Sequence, residues 1–394
     1  ALSTDTLGSK STAVGTDALQ TQNFTTATDS FNTAVGYNAG NAVTTGTLNT
    51  LVGGLAGDAL TTGFNNVAMG YEALGSNTAS GAHVAIGYQA LKTLNSTTNS
   101  SQFNTAVGAN AGLSVTTGVE NTIVGGLAGD AITTGYYNTA LGKDALTTNT
   151  LSSLNVAIGH SALKTMSAGN AETYNVAVGG NAGLSVTSGV QNTLIGGLAG
   201  DALTDADANV AIGIGALGSD TLGSLSVAVG ANALNAQNLT TATNTYSVAV
   251  GHFAGAAVTT GVENTLIGGL AGDALTVGVR NVAVGKGALT TDVGGNKSVA
   301  IGHSALEAQN LGATTTDAFN TAVGYNAGSA VTTGIQNTFV GGSAGDATND
   351  GAENVAVGYA ALSANCGNGN GAFGYAALFQ CTGQFNTAVG TSAG

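Results

Sequence analysis

A short apolar run returns along this chain at nearly constant spacing, each time flanked by Asn, Thr and Gly. The first runs are Ser11-Thr12-Ala13-Val14-Gly15, Asn32-Thr33-Ala34-Val35-Gly36, Asn49-Thr50-Leu51-Val52-Gly53 and Asn66-Val67-Ala68-Met69-Gly70. The last is Asn386-Thr387-Ala388-Val389-Gly390, and the pattern [N/S]-x-A-[V/I/L]-G-x-x-A-[L/G] describes 22 copies. We number the first residue of each copy as zero. Position +4 is Gly throughout, as in Gly36, Gly53, Gly108 and Gly125, and position +7 is Ala throughout, as in Ala39, Ala56, Ala111 and Ala128. Position +3 is always large and apolar. Within each run, Thr/Val at +1 and Val/Ile at +3 share one face, and Ala at +2 and Gly at +4 share the other. That is the two-residue period of a β-strand. A second short segment surrounds the +7 Ala, and a Thr/Gly/Asn turn follows.

The copies start at 11, 32, 49, 66, 83, 104, 121 and 138, in steps of 21, 17, 17, 17, 21, 17 and 17. Four copies therefore form a superrepeat, giving spans near 32–103, 104–174, 175–246, 247–319 and 320–385. First turns run into V-T-T-G, as in Val115 to Gly118. Second turns carry G-G-x-A-G-D, third and fourth turns carry Leu at +8, and fourth turns end in the longer loop. Coils with Gly at +8 tend to have an apolar residue at +11, such as Val43, Leu60, Val115 or Ile132, which keeps core volume constant. A 17-residue unit is too short for a helical hairpin repeat. The expected fold is all-β: a parallel β-solenoid of about 22 coils with identical positions stacked from coil to coil. At ~4.8 Å per strand, a continuous array would be a rod about 105 Å long. Residues 1–9 align with 216–224, inside a third turn, so the chain is expected to be a fragment of a longer fibre.

Composition narrows the function. Pro is absent, as it would delete a hydrogen bond from any ladder it entered. Lys+Arg number 7 against Asp+Glu 21, a net charge of −14, which argues against nucleic acid as a partner. No apolar run is long enough for membrane insertion by a helix. A solenoid polysaccharide lyase needs carboxylates and cations clustered on one face, and seven scattered cations do not supply that. The expectation is a non-enzymatic protein with no cofactor. One coil has a thin core, and a small-residue Ala/Gly face suits close association between parallel rods. A homo-oligomer, most simply a homotrimer, is expected.

The motif, as in Asn354-Val355-Ala356-Val357-Gly358-Tyr359-Ala360-Ala361, resembles the head repeat of YadA-type trimeric autotransporter adhesins. It is also similar to the A-V-G-x-x-A-L units of marine bacteriophage fibre proteins. The resemblance covers essentially the whole chain. It implies a left-handed parallel β-roll, three of which pack around a threefold axis. The 17-residue coils and the four-coil superrepeat depart from the shorter adhesin unit. The function implied is a phage tail-fibre segment in the virion, presenting a tip for attachment to a host receptor or glycan. The alternative is a bacterial cell-surface adhesin or a self-assembling extracellular filament.

Asp58, Asp130, Asp201, Asp273 and Asp346 close the G-G-x-A-G-D segments, which resemble calcium-binding turns. Each recurs only once in four coils, so a turn carboxylate accepting backbone N–H bonds is the expected role rather than a metal ligand. His160, His252 and His303 follow the fixed Gly, in a column that elsewhere holds Tyr37, Tyr71, Tyr88, Tyr325, Tyr359 and Tyr375. With His83 they are spread over different superrepeats, so they are expected to be structural or surface residues. The Tyr column offers ring stacking to a carbohydrate, with plain packing as the simpler reading. Sequons at Asn23, Asn95, Asn99 and Asn238 fall in fourth-turn loops. Cys366 and Cys381 lie in two adjacent shortened coils, at +12 and +11. Stacking at ~4.8 Å is inside the Cα range of a disulfide, so a Cys366–Cys381 bond is expected.

Overall fold

The computed structural model describes residues 1–394 and contains strands and turns with no helix. Twenty-two three-residue strands, from Thr12–Val14 to Thr387–Val389, fall on the A-V-G motif, one per coil of a parallel β-solenoid. The chain divides into two compact units, Ala1–Gln191 and Asn192–Gly394. In the first, Thr33–Val35 pairs with Thr50–Val52 in parallel, with Thr33 on Thr50, Ala34 on Leu51 and Val35 on Val52. In the second, Val210 lies on Val227, Ala211 on Ala228 and Ile212 on Val229. The 21-residue coils keep this register, because Val84 still pairs with Thr105. Their extra residues leave the outline as a loop and return through a second short parallel pairing. Gly8–Ser9 pairs with Thr28–Asp29, Gly223–Ser224 with Thr243–Asn244, and Gly295–Asn296 with Thr316–Asp317.

The strand's two faces divide opposite to the assignment that suits rod-to-rod packing. Ala at +2 points into its own coil and is fully buried at Ala34, Ala106, Ala228 and Ala300, together with the +7 Ala column. The Val/Ile at +3 points outward: Ile195, Ile267 and Ile301 remain 37–38% exposed. The small-residue face is therefore not available to a neighbouring chain. The reason is volume. A 17-residue coil encloses a narrow interior, and the buried Ala at +2 and +7 with the Leu at +8 already occupy it.

Second turns show the same constraint in reverse. There +2 is large (Leu51, Ile123, Leu194, Leu266, Phe339, all fully buried) and +8 is Gly. A Cβ on Gly57 would stand 2.8 Å from Leu51 Cδ2 and 2.9 Å from Leu60 Cδ1. The apolar +11 residues Val43, Leu60, Val115 and Ile132 are fully buried, as the volume argument requires. Leu at +8 occupies left-handed backbone, for example Leu91 at φ 49°, a conformation costing roughly 1–2 kcal/mol. Burial of the side chain, worth roughly 1.5–3 kcal/mol, offsets it.

Register is fixed inside the coil by a ladder at position zero. Asn49 N donates to Asn32 Oδ1 (3.0 Å) and Asn66 N to Asn49 Oδ1 (3.1 Å). Most of these Asn residues also donate from Nδ2 to a carbonyl fourteen residues on, as Asn32 does to Gly46 O (2.8 Å), whereas Asn155 donates to Ser153 O (3.2 Å) and Asn354 Nδ2 is buried without a partner. The second unit repeats this through Asn264 and Asn281 (3.0 Å) and through Asn320 and Asn337 (2.9 Å). Asn264, Asn281, Asn320 and Asn337 are buried, and each carboxamide is hydrogen-bonded through both its oxygen and its nitrogen.

The fixed Gly at +4 is a close-approach residue. Gly142 has φ 137°, and a Cβ there would meet Gly159 O at 2.5 Å and Gly159 C at 2.6 Å. Gly126, at +5 of a second turn, has no positive φ, and its Cβ would find only Ala109 O at 4.0 Å. Gly142→Ala is expected to cost on the order of 3 kcal/mol, from backbone strain and overpacking. Gly126→Ala should stay within about 0.5 kcal/mol of the parent. Thermal melts followed by far-UV circular dichroism compare the two; equal midpoints would contradict the close-approach account.

Candidate binding groove

On each coil the residues at +5, +6 and +9 lie on one outer edge, because the turn after the fixed Gly alternates its backbone hand. Asn38 and Gly40, at +6 and +8, have φ near 55–60°, with Ala39 turned inward between them. In the second unit this edge forms a groove of about 570 Å³ between Ser343, Asp346, Tyr359, Ser363, Tyr375 and Phe379. The same coil positions one superrepeat earlier form a smaller groove of about 240 Å³, lined by Leu270, Lys286, Thr290, His303 and Glu307. Small residues at +6, Ala360 and Ala376 in the first groove and Gly287 and Ser304 in the second, leave the floor open.

The +5 column forms ring stacks along the groove wall. Tyr359 stacks on Tyr375 with centroids 5.6 Å apart and planes 16° from parallel. Tyr71 stacks on Tyr88 (5.8 Å, 13°) and His303 on Tyr325 (5.5 Å, 22°). His160, His252 and His303 are exposed, and His252 meets Phe253 edge-on (4.2 Å, 88°). Tyr37 stands exposed in the same column. Sequence patterning identified the column but not the groove beside it. The usable signal was the pairing of rings at +5 with Ser, Ala or Gly at +6.

The second-turn Asp residues line the same edge. Burial, the dominant influence, raises the carboxyls of Asp58, Asp130, Asp201 and Asp273 above the usual range, and backbone N–H groups partly counter it. Asp130, Asp273 and Asp346 each keep one buried Oδ1 without a hydrogen-bond partner. No three His, Cys, Asp or Glu side chains converge in a way that could hold a metal ion. Near Asp58, Glu72 is held below the usual carboxylate range by hydrogen bonds from Lys92 and Gln89. The sequon residues Asn23, Asn95, Asn99 and Asn238 are exposed on the fourth-turn loops.

His83 differs from the other three histidines. It replaces Asn at position zero of the ladder, is fully buried, and its N–H donates to Asn66 Oδ1 (3.1 Å). Ser80 Oγ donates to Asn77 Oδ1 (2.8 Å), so at the 3.0 Å contact His83 Nε2 must be the donor. Nδ1 is then a bare, unpartnered acceptor, and a proton placed there would have no acceptor of its own. Burial accordingly lowers the His83 pKa to about 4. The unfolded chain then binds more protons between about pH 6.5 and 4 than the folded one. Stability from this group is full above pH 6.5 and is lost as pH falls through that window, on the order of 3 kcal/mol in all. His83→Asn should remove this part of the acid sensitivity; melts at pH 7.5 and 4.5 that shift equally for both proteins would disprove the assignment.

The expected disulfide is not formed: Cys366 and Cys381 are free thiols. The register explains it. Gly367 N donates to Gly383 O (3.0 Å) and a Cβ on Gly367 would meet Gln384 Cβ at 3.2 Å, so Gly367 stacks on Gln384 and Cys366 falls level with Gly383, two residues past Cys381. Cys366 is buried, with Sγ 3.4 Å from Thr348 Oγ1, while Cys381 Sγ accepts from Asn386 Nδ2 (3.3 Å). Burial raises the Cys366 thiol above its usual value. Iodoacetamide on unreduced native protein should label Cys381 readily and Cys366 slowly. A peptide map showing the two joined would overturn the free-thiol assignment.

Neither a known protein family nor any curated protein matches the chain.

Proposed function

We propose that the chain is a structural segment of a phage tail fibre, non-enzymatic, whose repeated coils hold a host-binding tip away from the virion. The observation that carries this reading is the register. In each unit every strand pairs with the next through the same three positions, even where a coil gains four residues. Such a ladder resists bending and slippage, because a one-residue slip would bring the +3 Val/Ile into the interior and the +2 Ala out of it. The receptor or glycan is engaged by the tip or by the exposed fourth-turn loops. A bacterial surface adhesin head is the second reading, favoured by the N-x-A-V-G-x-x-A motif.

The working form is a homotrimer assembled through the outward strand face. The +1 and +3 columns contain no charged residue in any coil, and at +3 they expose Met69, Leu141, Ile267, Val340, Val357 and Phe373. Exposed apolar stripes of this kind mark interaction surfaces. A partner must match a repeat of ~4.8 Å, and another copy of this chain does. Light scattering should give three times the chain mass. Ile267→Lys should lower that mass while the far-UV spectrum is kept. A monomeric parent would refute the assembly. Immunogold labelling with antibodies to the chain is expected on virion tail fibres; label confined to bacterial surfaces would support the adhesin instead.

A further inference from the structure

At Gly54, Gly126, Gly269 and Gly342, the +5 positions of four second turns, the backbone does not require a glycine. Gly342 lacks a positive φ, and a Cβ on it would make only ordinary contacts, 3.4 and 3.7 Å to the Tyr359 ring and 4.0 Å to Tyr325 O. At Gly54 the nearest atoms would be Tyr71 ring carbons at 3.6 and 4.0 Å. This is unlike the fixed Gly at +4, whose Cβ would strike backbone. A side chain fits at Gly54 and Gly342, yet none is there.

What the missing side chain leaves is a gap in a ring stack. Ser343 N donates to Tyr325 O (2.8 Å) and Ala360 N to Gly342 O (2.9 Å), so Tyr325, Gly342 and Tyr359 stand in file on three successive coils. Behind Tyr325 lies His303 and behind Tyr359 lies Tyr375, each stacked at 5.5–5.6 Å. The order is ring, ring, gap, ring, ring. In the first unit, Leu55 N to Tyr37 O (2.8 Å) and Glu72 N to Gly54 O (3.0 Å) align Tyr37, Gly54 and Tyr71, with Tyr88 behind Tyr71.

We propose that Tyr325–Gly342–Tyr359 and Tyr37–Gly54–Tyr71 are two clamps, each holding one neutral pyranose ring of a glycan between tyrosine faces. The gap spans two strand spacings, roughly 10 Å. A ring seated midway lies about 5 Å from each tyrosine, within the 4.5–7 Å range of ring stacking. The C–H faces of a pyranose cover the two aromatic faces, and its equatorial hydroxyls point sideways. On that side Tyr359, one wall of the Tyr325–Gly342–Tyr359 clamp, also lines the groove that holds the Ser343 hydroxyl and the Asp346 carboxylate. A flat aromatic guest would leave those groups without partners. The net charge of −14 disfavours acidic sugars and selects neutral ones. The clamps lie on the coil body, so the proposal adds to the tip-presenting role and does not depend on it.

The test uses the whole chain and three probes: the methyl β-pyranosides of glucose, galactose and N-acetylglucosamine. Saturation-transfer NMR reports their ring C–H protons at the protein, and tyrosine fluorescence reports the walls, undisturbed because the chain has no Trp. At least one pyranoside should bind, and Gly54→Leu with Gly342→Leu should weaken it tenfold or more. Gly126→Leu, at the equivalent position between Ala109 and Lys143, should change nothing. Should the leucine pair disturb the far-UV spectrum, Tyr37→Ala with Tyr325→Ala, both exposed side chains, should give the same tenfold loss. No binding by any of the three probes, binding unchanged by these variants, or preferential uptake of phenol over the sugars would overturn the proposal.

Discussion

Everything in this molecule depends on holding coil upon coil at one register, and the buried amide ladder at position zero does most to enforce it. An Asn side chain inside an apolar coil is costly unless both its donor and its acceptor are used. Here the acceptor takes the N–H of the next coil and the donor takes a carbonyl of its own coil's turn. Shifting one coil against the next by one residue breaks the inter-coil bond and leaves a buried carboxamide oxygen and a buried N–H without partners. Packing acts in the same direction, because a one-residue slip would turn the +3 Val/Ile into an interior that holds only Ala at most coils.

Once register is fixed, each column has one environment over many coils, and composition follows. Inside, the narrow cross-section limits +2 and +7 to Ala, and a larger +2 is admitted only where +8 shrinks to Gly. At +4, backbone lies against backbone, and only Gly serves. Outside, sheet geometry favours β-branched residues at +1 and +3, and no steric limit applies at +5. That freedom is why +5 is the variable column, carrying Tyr, His, Lys, Ile, Ala or Gly, and why chemistry collects there.

The solenoid, its coil length and the volume trade between +8 and +11 were legible in the sequence, because they depend on periodicity and residue size. The direction of the strand faces was not. Alternation shows that +1 and +3 share a face and that +2 and +4 share the other. It does not say which is inside, and the usual expectation puts the larger residues there. Here the interior is too narrow for them at most coils. The cysteine pairing failed for a related reason. Spacing placed Cys366 and Cys381 in adjacent coils, but side-chain contact needs the register within one residue. The grooves were invisible because +5, +6 and +9 become neighbours only when the turn reverses the backbone hand at +6 and +8.

The third-to-fourth turn junction shows how such a core changes its chemistry without changing shape. At +11 of the third turn the residue is Asp5, Asp220 or Asp292 in three cases, and Asn77, Asn149 or Asn365 in the others. Wherever it is Asp, +11 of the next coil is Gln (Gln22, Gln237, Gln309) and position zero is Ser (Ser11, Ser226, Ser298). Wherever it is Asn, the next +11 is Leu94, Met166 or Cys381, and position zero is His83, Asn155 or Asn370. The contacts explain the exchange. Gln309 Nε2 donates to Asp292 Oδ2 (2.6 Å) and Ser298 Oγ (3.0 Å), while its Oε1 accepts from Asn320 (2.8 Å). The Gln thus carries the ladder across a coil that has no Asn. Burial raises the Asp292 carboxyl above its usual range, and Gln309 with the backbone N–H groups of Leu311 and Gly295 partly restores the ionised form. Where position zero keeps its own ladder amide, as at Asn155 and Asn370, no bridging Gln is needed and an apolar or thiol side chain fills its place. The two sets are alternative ways to satisfy the same buried positions, and mixing them would leave a buried donor or carboxylate without a partner.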